Sequence, residues 1–192
     1  MPRRRLSTQE RRAAILDAAE RHFATQSYPD VSVGAIAADS DSSQALVFHY
    51  FGTKSGLFTA LIDARLDHLR QTHLAALAAL EPGQPVRGRV EAILLAHLDA
   101  VAADPLLIAG PGEPVPARDA RLRADNELAE LLASETGIDD FARHRWAVTG
   151  IVGFLGRAGA EWATAGCPAN ERHPLVEATL GALEGALGDW RT

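Results

Sequence analysis

The sequence predicts an all-α fold in which a small N-terminal head precedes a larger helical body. Apolar residues recur at intervals of three and four through most of the 192 residues, the period of a helix with one buried face. No stretch alternates apolar and polar residues with the period of two expected of a half-buried strand. The periodic stretches are separated by short runs rich in Pro, Gly and Ser, residues that end helices. Nine helices are expected.

Residues 1–6 form an arm carrying Arg3, Arg4 and Arg5. Ser7 and Glu10 fit a capping box, each side chain taking a backbone N–H of the other. Ile15, Ala18, Ala19, His22 and Phe23 then give a first helix to about Gln26, and Pro29 disfavours helix at Tyr28. Ser32 can cap a short second helix from Val33 to about Ser40, and a third runs from about Gln44 to Tyr50 across a polar turn. Two short helices across such a turn outline a helix-turn-helix over about residues 32–51.

The fourth helix starts near Thr53 and carries Leu57, Phe58, Leu61, Ile62, Leu66, Leu69, Leu74 and Leu77. It is longer than the head needs and reads as a rod into the body. Residues 81–85, with two prolines and a glycine, end it. Helix five is expected from Val86 to Ala103, and a short sixth turn from Leu106 to Ala109. The break at 110–116, with three prolines and two glycines, is placed as a loop inside the body. Helix seven is expected from Ala117 to Glu135, helix eight from Asp139 to Ala165 and helix nine from Pro174 to Leu187. The domain boundary is set between 67 and 68, with a head of residues 1–67 and a body of 68–192.

The formal net charge of −6 argues by itself against a nucleic-acid binder. Its distribution does not, because residues 1–60 hold seven basic against six acidic side chains while the remainder is strongly acidic. Any contact with DNA therefore belongs to the head. The one cysteine, Cys167, excludes an intrachain disulfide and a thiolate metal cluster. No apolar run approaches the roughly 18 residues of a membrane span and no signal-peptide core follows the basic N-terminus, so a soluble cytoplasmic protein is expected.

Helix eight is apolar nearly all round between Trp146 and Trp162, and glycine recurs there at 150, 153, 156 and 159. Each glycine costs a helix about 1 kcal/mol relative to alanine, and close helix-to-helix approach is the expected return. With helix nine it can form a four-helix interface between two copies of the chain, through Gly153, Gly156, Ala160, Val176, Leu180, Leu183 and Leu187. A buried hairpin within one chain is the alternative.

At this point the chain resembles the TetR family of transcriptional regulators. The residues that carry the resemblance are Ile15 to Ala19, Phe23, Val33, Ile36, Ala37, Ser43, the run Phe48, His49, Tyr50 and Phe51, and then Lys54, Leu57 and Phe58. The resemblance implies a dimeric repressor that binds a palindromic double-stranded DNA operator and is released by a small-molecule effector. Carried over by position, the third helix is capped by Ser43 and presents Gln44, Ala45, Leu46, Phe48 and His49. Gln44 can pair with adenine, and Ala45 or Leu46 can touch a thymine methyl. Thr53 and Lys54 would hold a phosphate at the start of the fourth helix, and Arg3, Arg4 and Arg5 would add phosphate or minor-groove contact. Tyr50, Phe51 and Phe58 fit the core better than the interface.

Several positions depart from the family pattern. Asp41 stands where the turn usually has glycine, Ser42 where an apolar residue is usual, and Phe48 where a tyrosine is usual. Gly34 offers no side chain to a phosphate, and Asp39 and Asp41 would repel one. A ligand-binding or interaction protein whose head does not bind DNA is the alternative these departures keep open.

An effector pocket is expected from Leu66, Leu69, His97, Val101, Trp146, Phe154 and Arg157, mostly apolar with a few polar groups, as a hydrophobic ligand requires. Arg157 could instead pair with Glu161 one turn on. Asp63, Asp67 and His68 share part of a helix but read as its polar face, and no nucleophile elbow, phosphate loop or zinc helix motif is present. Neither an enzyme nor a metal or cofactor is expected.

Overall fold

The computed structural model describes residues 7–188. Among them are eight α-helices, α1 (Thr8–Phe23), α2 (Val33–Asp39), α3 (Gln44–Phe51), α4 (Lys54–Ala78), α5 (Val86–Ala103), α6 (Val115–Thr136), α7 (Ala142–Thr164) and α8 (Ala169–Leu187), with a 3-10 turn at Pro105–Leu107 and no strand. The short sixth turn expected from Leu106 to Ala109 is that 3-10 turn, which is too short to be α-helical, so eight α-helices stand among the described residues where nine helices are expected. Pro105 opens it, and the Asp104 carboxylate caps it by accepting from Leu106 N–H at 2.9 Å.

The chain divides into two compact units. One comprises the residues up to Arg65 together with Ala109–Ala120; the other comprises Leu66–Ile108 and the residues from Arg121 onward. The 110–116 break therefore does not belong to the body, as its position in the chain suggested. Its placement has a local cause. Gly112 adopts a left-handed φ of 70° against the ring of Pro29, where an added Cβ would fall 2.6 Å from Cγ. Glu113, Ala117 and Ala120 are buried beyond it.

In the first unit, the predicted capping box of α1 forms. Ser7 N–H donates to Glu10 Oε2 at 2.7 Å, and Glu10 N–H donates to Ser7 Oγ at 3.2 Å. Ile15, Ala18, Ala19 and Phe23 of α1 are then buried, as are Ile36, Ala37, Val47, Leu57 and Ile62 of the same unit. Phe23, Tyr28 and Phe58 close one end, with ring centroids 4.7 to 6.1 Å apart. Edge contacts of this kind add to simple area burial. Glu20 and Arg65 pair across this unit.

In the second unit, α5, α7 and α8 share one core that includes Ile93, Leu98, Ile151, Leu155, Val176 and Leu180. Arg172 of α8 grips both oxygens of Asp99 on α5 at 2.6 and 2.7 Å. Helix α8 begins at Ala169, a turn and a half before the predicted start at Pro174. Pro168 supplies its N-cap, and the Glu171 N–H closes the first turn on the Pro168 carbonyl at 3.0 Å. Pro174 thus lies inside the helix, where it withholds one N–H. Helix α7 begins three residues later than predicted, because Asp139 accepts from Phe141 N–H at 3.1 Å and ends the preceding turn there. Among the described residues no helix is long and apolar enough to cross a membrane.

Candidate nucleic-acid interface

Helix α3 has eight residues, and its two faces divide sharply. Val47 has no exposed surface and anchors the helix in the head core, while Gln44, Ala45, Phe48 and His49 are exposed along one side. Positions 44, 45, 48 and 49 share a face because 45 and 48 are three apart and 44/48 and 45/49 are each four apart. Leu46, Tyr50 and Phe51 flank that face, each half-buried. Ser43 caps the helix as expected, its Oγ accepting from Leu46 N–H at 3.1 Å. Gly52 ends it with a φ of 73°.

The turn between α2 and α3 accommodates its unusual residues. Asp41 takes a φ of 51°, the left-handed geometry for which glycine is expected and which aspartate tolerates better than most residues. Ser42 N–H donates back to the Ala37 carbonyl at 2.8 Å, and the Ser42 hydroxyl donates to the Ser40 carbonyl at 3.2 Å. Ser42 is thus half-buried with its polar group satisfied. The Arg11 guanidinium, from α1, donates to the Asp41 carbonyl at 2.9 Å and lies 3.5 Å from the Ser40 carbonyl. Arg21 donates twice to Asp39 Oδ2, at 2.9 and 3.1 Å. Of the two acids expected to repel phosphate, Asp39 is therefore paired with a cation of its own unit.

The junction of α3 with α4 is tight. An added Cβ on Gly56 would lie 2.1 Å from the Phe51 carbonyl oxygen, so only glycine lets the two helices meet in this way. Thr53 caps α4, its Oγ accepting from Gly56 N–H at 2.9 Å. The Lys54 ammonium donates to the Pro29 carbonyl at 3.0 Å and lies 4.8 Å from the Tyr28 ring centroid. This contact was not anticipated, and it holds the expected phosphate ligand at the head's own surface. Arg3, Arg4 and Arg5 lie outside the described residues.

The expected effector pocket is only partly assembled. Leu69 and Val101 are buried and Leu66 is half-buried on α4 and α5. Trp146, by contrast, is 72% exposed and Phe154 41% exposed on α7. Arg157 pairs with Glu161 at the same exposed surface. These three cannot line an interior site of the single chain, because their helix turns Ile151, Val152 and Leu155 inward instead. The structure joins His97 instead to a residue missed in the sequence, His73 of α4, with ring centroids 5.5 Å apart and planes 11° from parallel. His73 is 3% exposed. Its Nε2 and the Nδ1 of His97 are both buried without a hydrogen-bond partner, an arrangement that costs about 1–3 kcal/mol per group. Burial lowers the pKa of His73 to about 4; burial, with the neighbouring His73, lowers that of His97 to about 3. The sequence signal was weak, since these histidines lie on separate helices, 24 positions apart by their numbering.

The residues expected at a dimer interface also separate. Val176, Leu180, Leu183 and Leu187 are spent on the chain's own core, because α8 buries its leucine stripe against α5 and α7. Gly153 and Gly156 are exposed with open space beside them, and Ala160 is half-buried. Of the four spaced glycines, Gly159 alone meets a neighbour, where an added Cβ would lie 3.5 Å from Leu98.

Residues 15–61 match the family model described as TetR_N, bacterial regulatory proteins, tetR family. The chain is similar to the HTH-type transcriptional regulator BetI of Rhizobium meliloti (strain 1021), with 38% identity over 84 residues, 44% of this chain and 40% of the relative. It is similar to BetI of Burkholderia lata, with 33% identity over 91 residues, 46% of this chain and 45% of that one. The chain thus spans less than half the length of these curated relatives. In fold it resembles the fatty acid degradation regulator FadR from Bacillus halodurans, with a TM-score of 0.71, 19% identity and coverage of 92% of this chain and 97% of that one. A tetR-family transcriptional regulator from Streptomyces coelicolor aligns with a TM-score of 0.72 and 21% identity, over 94% of this chain and 80% of that one. The head thus matches the TetR_N model in sequence over residues 15–61, and the all-helical fold is similar along nearly its whole length to those of solved regulators.

Proposed function

We propose that this protein is a ligand-responsive transcriptional regulator that acts in the cytoplasm as a homodimeric repressor on a palindromic operator. The observation that carries the reading is the exposed face of α3, where Gln44, Ala45, Phe48 and His49 project from a helix capped by Ser43 and anchored by Val47. An amide, a methyl group, an aromatic ring and an imidazole on one face suit the edges of bases in a major groove, and Gln44 suits adenine. The pairing of Asp39 with Arg21 supports it further, since it offsets the charge most at odds with DNA. Two copies of the head, one helical turn of about 34–36 Å apart, would read the two half-sites.

For the dimer we favour the exposed side of α7, with Trp146, Gly150, Gly153 and Phe154, against its copy and the small residues Gly181 and Gly185 of α8. An exposed apolar surface rimmed by polar groups marks an interaction site, and the open glycines permit close approach. A small, mostly apolar effector bound in the body would shift the affinity for the operator.

The test is selection from random duplex DNA, followed by titration of the winning sequence over a range of salt. Sequence-selective binding with a steep salt dependence is the expected result. Absence of any selected sequence would refute the reading. Sedimentation that finds only monomers would remove the dimer and the palindrome.

A further inference from the structure

The geometry points to the His73–His97 pair as the polar anchor of the effector site, taking the single hydroxyl group of an otherwise apolar, uncharged molecule. This rests on the regulator reading for its biological meaning but not for its chemistry. Each ring has a buried nitrogen without a partner, and the two rings lie 5.5 Å apart on neighbouring helices of one unit. Buried polar groups of folded chains are nearly always satisfied, so two such atoms side by side call for a common explanation. Along α4 the positions one turn from His73 are Leu69, Ala76, Leu77 and Arg70, the last exposed and turned to Glu127 at 3.9 Å; along α5 those of His97 are Ile93, Leu94, Ala100 and Val101. The anchor is therefore bordered by aliphatic side chains.

The chemistry of the two rings narrows the class of ligand. A neutral imidazole has one N–H donor and one acceptor nitrogen, so the pair can both donate to and accept from one hydroxyl. A carboxylate would have to be buried without a cation to meet it. A metal ion needs more ligands than this pair supplies. Among the described residues the group of three or more converging metal-ligating side chains is elsewhere, at Glu91, His173 and Glu177.

The experiment uses phenol, toluene and benzoate, three probes sharing one ring and differing in the polar group, with the full chain and no DNA. Binding is followed by titration calorimetry and by the imidazole 15N resonances of His73 and His97. We expect saturable binding of one phenol per chain that moves both sets of resonances, and phenol binding at least tenfold tighter than toluene or benzoate. His73→Phe and His97→Phe keep an aromatic ring in place and should weaken phenol at least tenfold without weakening toluene. Equal binding of phenol and toluene would overturn the proposal, as would a preference for benzoate, unmoved imidazole resonances, or no binding of phenol. If the phenol results hold while no DNA sequence is selected, the regulator reading fails and the site stands.

Discussion

Lowering the pH from 7 to 5 should destabilise the body through its two buried histidines, and the size of the effect follows from their burial. An imidazole in the unfolded chain titrates near 6.5, whereas folded His73 titrates at about 4 and His97 at about 3. Between these values the unfolded chain binds protons that the folded chain refuses. Stability is therefore full above pH 6.5, falls as pH drops toward 4, and levels off only once the folded rings protonate. At pH 5 the unfolded imidazole is almost wholly charged and the folded one neutral, a loss of about 2 kcal/mol for His73 alone. His97 adds up to about as much again, less whatever its partial exposure returns. Against a total stability of about 5–15 kcal/mol, this is a large fraction. Urea unfolding at fixed protein concentration, at pH 7 and pH 5, measures it. The double variant His73→Phe, His97→Phe should lose about 2–4 kcal/mol of the pH dependence while the contribution of the carboxylates remains. An unchanged pH dependence in the double variant would refute the reasoning, because it would mean that both rings accept protons as readily in the folded chain as in the unfolded one.

Other substitutions test the head and the proposed interface. Gly56→Ala should force α3 and α4 apart at the Phe51 carbonyl, lowering stability by about 1–3 kcal/mol or more, read by thermal unfolding, with a parallel loss of DNA affinity. Gln44→Ala should cost about 1–3 kcal/mol of discrimination at one base position and relax the selected sequence there, whereas Lys54→Ala should weaken all sequences alike and reduce the salt slope by about 1. Arg11→Ala removes the donor that holds the Ser40 and Asp41 carbonyls, so faster amide exchange is expected at residues 40–43. Gly153→Ala and Gly156→Ala meet open space in the single chain and should stabilise an isolated α7 by up to about 1 kcal/mol each. If α7 packs closely on its copy, they should instead weaken self-association in sedimentation; unchanged association would argue against that face.

The sequence by itself determined the helical class, the placement of the helix-turn-helix and the capping of its elements, since these depend on interactions within a few residues. Ser7 with Glu10 and Ser43 with Leu46 are such cases, and each forms where the spacing placed it. The inward position of Val47, between half-buried Leu46 and exposed Phe48, likewise follows from helical periodicity alone. What only the tertiary structure decided are the pairings between distant parts of the chain. Arg11 reaches the turn thirty residues on, Arg21 neutralises Asp39, and Lys54 finds the Pro29 carbonyl. Residues 109–120 join the head, although their neighbours on both sides belong to the other unit. Which face of an apolar helix turns inward was also undecided in sequence, because α7 is apolar nearly all round. Its packing on α5 and α8 buried Ile151 and Leu155 and left Trp146 outside. Periodicity ranks the faces of a helix only when one of them is polar; where all are apolar, the neighbouring helices choose.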